Sequence, residues 1–192
     1  MPFFSQGGST VSSSNIVDGT IVNADINAAA GIVASKLGGG VFKKLTDDTL
    51  GAPAASMTTT TFAGVSLLKV MIVLPSSPSE ALRIRFNGDS GANYDGQDNE
   101  NGVASGGGSG TTLGVIEGAG VGVAKVCILD IWNIAALPKH AIFDFGAGGR
   151  KGDGWVRWNN TSAAITAITV LLHAGGNLPT GTRIVVYGCD LT

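Results

Sequence analysis

Short apolar segments separated by turn residues dominate the chain from about residue 45 onward. Residues 65–74 (VSLLKVMIVL) are almost continuously apolar and end at Pro75, as a strand buried on both faces would. Leu82, Ile84 and Phe86 alternate with two arginines, which predicts a strand with one dry and one solvated face. Further candidate strands lie at 121–133, 141–145, 155–158, 165–172 and 183–187. The pattern predicts an all-β fold, an antiparallel β-sandwich or jelly roll.

The N-terminal part of the chain has a different pattern. Residues 6–15 are rich in Gly, Ser and Thr, a composition typical of flexible segments. Ile26, Ala30, Val33 and Leu37 then fall on one stripe of a short helix, which is marginal by itself in water. We therefore expect two parts: an extended N-terminal docking arm with one short helix, residues 1–45, and a β-sandwich head domain, residues 46–192.

Composition and charge narrow the function classes. The 192 residues include 30 glycines, and 14% are charged, where about 25% is typical, so the chain lacks the charged residues that exposed helices use. A formal net charge of −2 gives no electrostatic reason to expect nucleic-acid or anionic-membrane binding. The longest apolar run is far too short to span a bilayer, so no membrane insertion is expected. We expect Cys127 and Cys189, on apolar strands, to be buried reduced thiols, with a disulfide or reactive thiol as the alternative.

Acidic side chains are concentrated in residues 87–112, a segment predicted to be a polar, glycine-rich loop. Asp95, Asp98 and Glu100 are hard-oxygen ligands of the kind that hold Ca²⁺. The EF-hand order fails, however, because Glu100 stands where the sharp-turn glycine belongs. A solvated loop without metal or cofactor is favoured, and a calcium site made by these three residues is the alternative.

Two other groups of residues carry side chains suited to binding or catalysis. In a strand, Trp155 and Arg157 share one face while Trp158 shares the other with Val156, so one tryptophan is expected in the core. The other tryptophan, with Arg157, is a candidate contact for a ligand such as a sugar or for a neighbouring subunit. The only histidines, His140 and His173, lie apart on candidate strands, and there is no G-x-S-x-G sequence. We therefore expect no enzymatic activity.

Three segments resemble virion structural proteins of bacteriophages. Residues 15–30 (NIVDGTIVNADINAAA) with 34–37 (ASKL) are similar to arm segments of phage fibre-like proteins. Residues 82–94 (LRIRFNGDSGANY) resemble a strand-and-loop motif of phage structural β-domains, and residues 159–188 resemble their closing strands. The resemblance implies a homotrimer, made in the host cytoplasm and displayed on the virion surface, with a β-sandwich head and an N-terminal anchor.

The resemblance also gives the arm a partner, the major capsid protein or a tail protein of the same particle. Isolated apolar side chains on an extended arm can each fill a pocket, and several arms on one trimer raise avidity. The candidate docking residues are Ile16, Ile21, Ile26, Val33 and Leu37.

Three roles remain open at the level of sequence. A capsid decoration protein (cement or head fibre) needs only a short anchor and one compact head, and it is favoured for that reason. A tail fibre or receptor-binding protein that recognises the host surface is the nearest alternative. A lectin-like module is the third, with Trp155 and Arg157 contacting a host-surface glycan.

Overall fold

The computed structural model describes residues 42–76, 80–116 and 123–190, which belong to one compact unit, Gly38–Thr192. Within these ranges the chain forms β-strands and no helix, which confirms the all-β prediction. The strands are β1 (Lys43–Thr49), β2 (Ser56–Thr58), β3 (Leu67–Leu74), β4 (Leu82–Phe86), β5 (Tyr94–Glu100), β6 (Val103–Thr111), β7 (Gly114–Val115), β8 (Lys125–Trp132), β9 (Lys139–Ala147), β10 (Arg150–Trp158), β11 (Ile168–Leu172) and β12 (Arg183–Cys189).

The predicted arm lies almost wholly outside the described residues. This applies to its helix and to all five candidate docking residues, Ile16, Ile21, Ile26, Val33 and Leu37. The first strand, β1, begins at Lys43, inside the segment 1–45 that the sequence pattern assigns to the arm.

The strands form two antiparallel sheets. The larger sheet has the order β1-β12-β3-β8-β9-β10-β5-β6, and the smaller has the order β2-β11-β4-β7. In both sheets a late strand inserts between two early ones: β12 lies between β1 and β3, and β11 lies between β2 and β4. The hairpins β9–β10 and β5–β6 extend the larger sheet beyond β8.

Alternation of buried with exposed or half-buried residues in β3, β8 and β9 gives the larger sheet an inner and an outer face. In β8, Cys127, Leu129 and Ile131 are buried, while the residues between them are exposed or half-buried. Inner residues of the larger sheet and buried residues of the smaller sheet, such as Ile84 and Val170, belong to one hydrophobic core. Burying such side chains stabilises the fold by about 1.5–3 kcal/mol each, before the cost of ordering them.

A buried asparagine connects segments next to both sheets. The Asn133 side-chain amide donates to the carbonyl oxygens of Val65 (2.9 Å) and Ile165 (3.1 Å), and its oxygen accepts from the Ile165 amide (2.7 Å). Val65 precedes β3 of the larger sheet and Ile165 precedes β11 of the smaller one. This satisfied polar network fixes how the two segments meet.

Two glycines of β10 make room for aromatic rings of β9. Phe143 lies opposite Gly154, and Phe145 lies opposite Gly152. A Cβ atom at either glycine would overlap the facing ring and a backbone carbonyl of β5. The glycines therefore let the two buried rings lie across the sheet.

The segment predicted as a loop, residues 87–112, contains a hairpin instead. Strands β5 and β6 are joined by Asn101-Gly102, both with positive φ (51° and 83°). This is the turn conformation for which Asn-Gly is the preferred sequence. The strands were missed because they consist largely of Gly, Asp and Asn, which show no apolar alternation.

Strand β3 also differs from the expectation of burial on both faces. Leu68, Val70, Ile72 and Leu74 are buried, but the alternate residues are only half-buried. The almost continuous apolar run therefore reflects a core-facing set and a second set on the outer face of the larger sheet.

Candidate ligand and docking surface

The outer face of β10 carries the two residues that the sequence singled out. Trp155 is 43% exposed and shares this face with Arg157. Trp158 is fully buried, and its Nε1 donates to Asp89 Oδ2 at 2.6 Å. The expected division into one core and one outer tryptophan is confirmed.

Arg157 is held in place by the carboxylate of Asp95. Its Nε donates to Asp95 Oδ2 at 3.0 Å, and its Nη2 contacts the same oxygen. Asn159 Nδ2 also donates to Oδ2 (2.9 Å), while Ser109 Oγ (2.7 Å) and the Gly110 amide (2.9 Å) donate to Oδ1. These hydrogen bonds, from Asn159, Ser109, Gly110 and Arg157 in that order, hold the pKa of Asp95 well below its usual range. The guanidinium is therefore fixed next to Trp155.

The three candidate calcium ligands do not come together at one point. The register with β10 places Asp95 on the outer face of β5, and Asp98 and Glu100 on the inner face. Asp95 is paired with Arg157, Glu100 forms an ion pair with Arg150, and Asp98 is fully buried. No group of three or more His, Cys, Asp or Glu side chains that could hold a metal ion is found among the described residues. The structure thus differs from the calcium interpretation because the acidic residues lie on a strand, not a loop.

The most extensive feature of the outer face is apolar. We call six side chains, each between 37% and 51% exposed, the outer apolar face. They are Phe42, Val126, Ile128, Trp132, Ile142 and Trp155.

A shallow groove of about 250 Å³ runs across the outer apolar face. Phe42, Trp132, Ile142 and Leu67 line it. The register places Ile142 between Trp155 on β10 and Asp130 on β8. The groove and the exposed tryptophan of β10 therefore form one continuous surface.

Charged side chains also lie within this surface. Lys69 Nζ lies 2.6 Å from Asp130 Oδ1, a pair formed across β3 and β8. Asp144, exposed on β9, lies opposite Ile128 of the outer apolar face.

Sequence reasoning missed most of this surface. Its apolar residues occupy the positions that alternate with core residues, as Ile128 does between Cys127 and Leu129. The signal was present: a strand that is apolar at both sets of positions needs two covering layers. Within the described residues the smaller sheet covers the inner face of the larger sheet, and the outer face has no such layer.

The two histidines are exposed, and the two cysteines are buried. His140 and His173 are both exposed, one on the outer face of β9 and the other after β11. Cys127 and Cys189 are buried free thiols, as predicted.

Comparison with known proteins leaves the family open. No protein-family model matches the chain, and no curated protein or solved structure is significantly similar to it. The described residues also contain no helix with the length and hydropathy required to cross a membrane.

Proposed function

We propose that this chain is a non-enzymatic structural protein of a bacteriophage particle, acting as a capsid decoration protein (cement or head fibre). In this proposal residues 1–45 dock on the major capsid protein, and a jelly-roll head, residues 46–192, is displayed as a homotrimer on the virion surface. The sequence resemblance to phage arms and β-domains is the starting point.

Strand order is the observation that carries the proposal. The sets β1-β12-β3-β8 and β2-β11-β4-β7 follow the order of an eight-stranded jelly roll made of two Greek keys. That architecture recurs in viral capsid proteins and lectins. In this interpretation β5–β6 and β9–β10 are hairpins inserted into the jelly roll, and both extend the same sheet.

The chemistry of the head agrees with a structural role. On the outer face Asp95 is paired with Arg157, and Lys69 is paired with Asp130. The groove between them is lined largely by apolar side chains. Such a surface is suited to packing against another surface, since general acid–base catalysis requires a positioned titratable group next to a reacting atom.

Localisation on the particle tests the proposal. Particles that lack the protein are incubated with the full chain or with a chain lacking residues 1–40, and binding is measured by cosedimentation and electron microscopy. We expect many copies of the full chain on each capsid and none of the truncated chain, which keeps the far-UV circular dichroism of a β-protein. Capsids that bind both chains equally, or neither, would refute the docking role of the arm.

A second candidate function rests on Trp155 and Arg157. An exposed indole next to a guanidinium fixed by Asp95 is suited to stacking on a sugar ring and hydrogen bonding its hydroxyls. A tail fibre, receptor-binding protein or lectin-like module would use this surface on a host glycan. Few copies at the tail, together with glycan binding that is lost in Trp155→Ala, would favour this function over decoration.

A further inference from the structure

We propose that a second copy of this chain packs against the outer apolar face. Because the same face is used on both copies, this is a two-fold contact between heads, separate from the trimer of the proposed function, and it stands whether or not the protein belongs to a virion. It assigns the contact to β8, β9 and β10, with Leu67 and Lys69 of β3 beside them.

The area of the face is the first argument. Six large apolar side chains that are each about half exposed present roughly 500 Å² of apolar surface. A stable interface buries about 800 Å² on each partner, of which about 65% is apolar in homodimers. The outer apolar face therefore supplies the apolar part of one subunit's half of such an interface.

The charge distribution is the second argument. Charged side chains of both signs lie on the face: Lys69 pairs with Asp130, and Asp144 on β9 lies opposite Ile128. In a contact between two copies the lysine of one copy can meet an aspartate of the other, so the face can complement itself. Lys151 and Arg157 on β10 add charged side chains at its border, as expected for the polar rim of a protein interface.

The residue types are the third argument. Tryptophan is the residue most enriched at the centres of protein interfaces, and Trp132 and Trp155 stand on strands separated only by β9. A sugar stacks on one aromatic ring and needs several polar partners around it, whereas Asp130 is the one charged residue among the side chains that line this groove. The composition therefore favours a protein surface, and a copy of the same face fits it.

Sedimentation equilibrium of the full chain tests the inference with a matched pair of variants. Ile142→Lys places a charge at the centre of the face, where the neighbouring Asp130 can accommodate it in the monomer. Val103→Lys makes the same change at a more exposed position (68%) on the edge strand β6, outside the face. We expect the full chain and Val103→Lys to sediment as the same oligomer, and Ile142→Lys to associate at least about 100-fold more weakly.

Other outcomes would overturn the inference. A full chain that is monomeric at about 100 µM, or an Ile142→Lys variant that associates like wild type, excludes this face as the subunit interface. A monomer whose tryptophan fluorescence resists acrylamide would show that another part of the same chain covers the face, which also overturns it. If Ile142→Lys fails to fold by circular dichroism, Ile128→Thr makes the same test, with an expected weakening of about 10-fold.

Discussion

Replacing Asp95 by asparagine is expected to lower the free energy of unfolding by about 3 kcal/mol. The substitution keeps the shape of the side chain but removes the charge and puts a donor where an acceptor stood. Asparagine keeps one acceptor oxygen, so either Arg157 and Asn159 or Ser109 and Gly110 lose their acceptor, and Arg157 loses the charge of its partner. A hydrogen bond to a charged group contributes about 1.5–3 kcal/mol, and the Arg157 contribution is discounted because its side chain is 40% exposed.

Urea unfolding at several pH values measures this loss, with Asp153→Asn as the control. Asp153 is exposed on β10, on the same outer face as Asp95 and Arg157. Its one side-chain hydrogen bond comes from Asn99 Nδ2 at 3.4 Å. The control is expected to change the free energy of unfolding by less than about 0.5 kcal/mol. Both variants are compared with wild type through the transition midpoint at constant m value.

The pH dependence of the difference gives a second check. The folded pKa of Asp95 lies below the usual value of about 3.9. Its stabilising effect is therefore complete above about pH 5 and is lost as the pH falls toward the folded pKa. Wild type and Asp95→Asn should differ most near neutral pH, and the difference should begin to shrink near pH 4, about the unfolded pKa, and continue to shrink as the pH falls toward the folded pKa. A variant as stable as wild type, or a difference that stays constant from neutral to acid pH, would refute the role assigned to the carboxylate.

Two further pairs of substitutions test the fold. Gly154→Ala is expected to cost about 2 kcal/mol or more, because its Cβ meets a buried ring and a carbonyl oxygen, whereas Gly146→Ala, with no atom within 4 Å, should cost less than about 1 kcal/mol. Thermal unfolding of both variants decides this, and equal melting temperatures would count against the packing described. Trp158→Ala is expected to cost about 4 kcal/mol, while Trp155→Ala, on the outer face, should cost less than about 1 kcal/mol in dilute monomer. Urea midpoints that fall by the same amount for both tryptophans would contradict the assigned faces.

Local pattern sufficed where one strand face meets the core and the other meets solvent. The alternation at Trp155–Trp158 placed the two tryptophans on opposite faces of the strand. The strand Leu82–Phe86 was predicted with both ends correct, but Arg83 is buried where a solvated side chain was expected. The strand at 141–145 was predicted in the right place, although β9 extends from Lys139 to Ala147. Periodicity of this kind is a property of a few neighbouring residues. It therefore requires no knowledge of the partner strand.

Features that depend on distant residues were not accessible in the same way. Strand β5 consists mostly of polar residues and glycine, which show no apolar alternation. It forms a strand because it pairs with β10 and β6, and these partners are distant or unknown at the level of local sequence. The turn that joins β5 to β6 is Asn101-Gly102, and this dipeptide is the local sequence feature that indicates a hairpin here. The Asp95–Arg157 pair joins residues 62 positions apart, and the outer apolar face combines β8, β9 and β10. Neither can be read from spacing along the chain.

The insertion of β12 between β1 and β3, and of β11 between β2 and β4, has a consequence for how the protein is made. Neighbouring early strands cannot complete their hydrogen bonding with one another, because the strand that separates them is synthesised much later: β11 begins 82 residues after β4 ends (168 − 86), and β12 begins 109 residues after β3 ends (183 − 74). Contacts of such long sequence separation slow folding, since a large loop must close before the pairing stabilises it. On the ribosome the head therefore remains without its central pairings until synthesis reaches β11 and β12. Quality control that acts on nascent chains would encounter an open, strand-rich intermediate for most of translation.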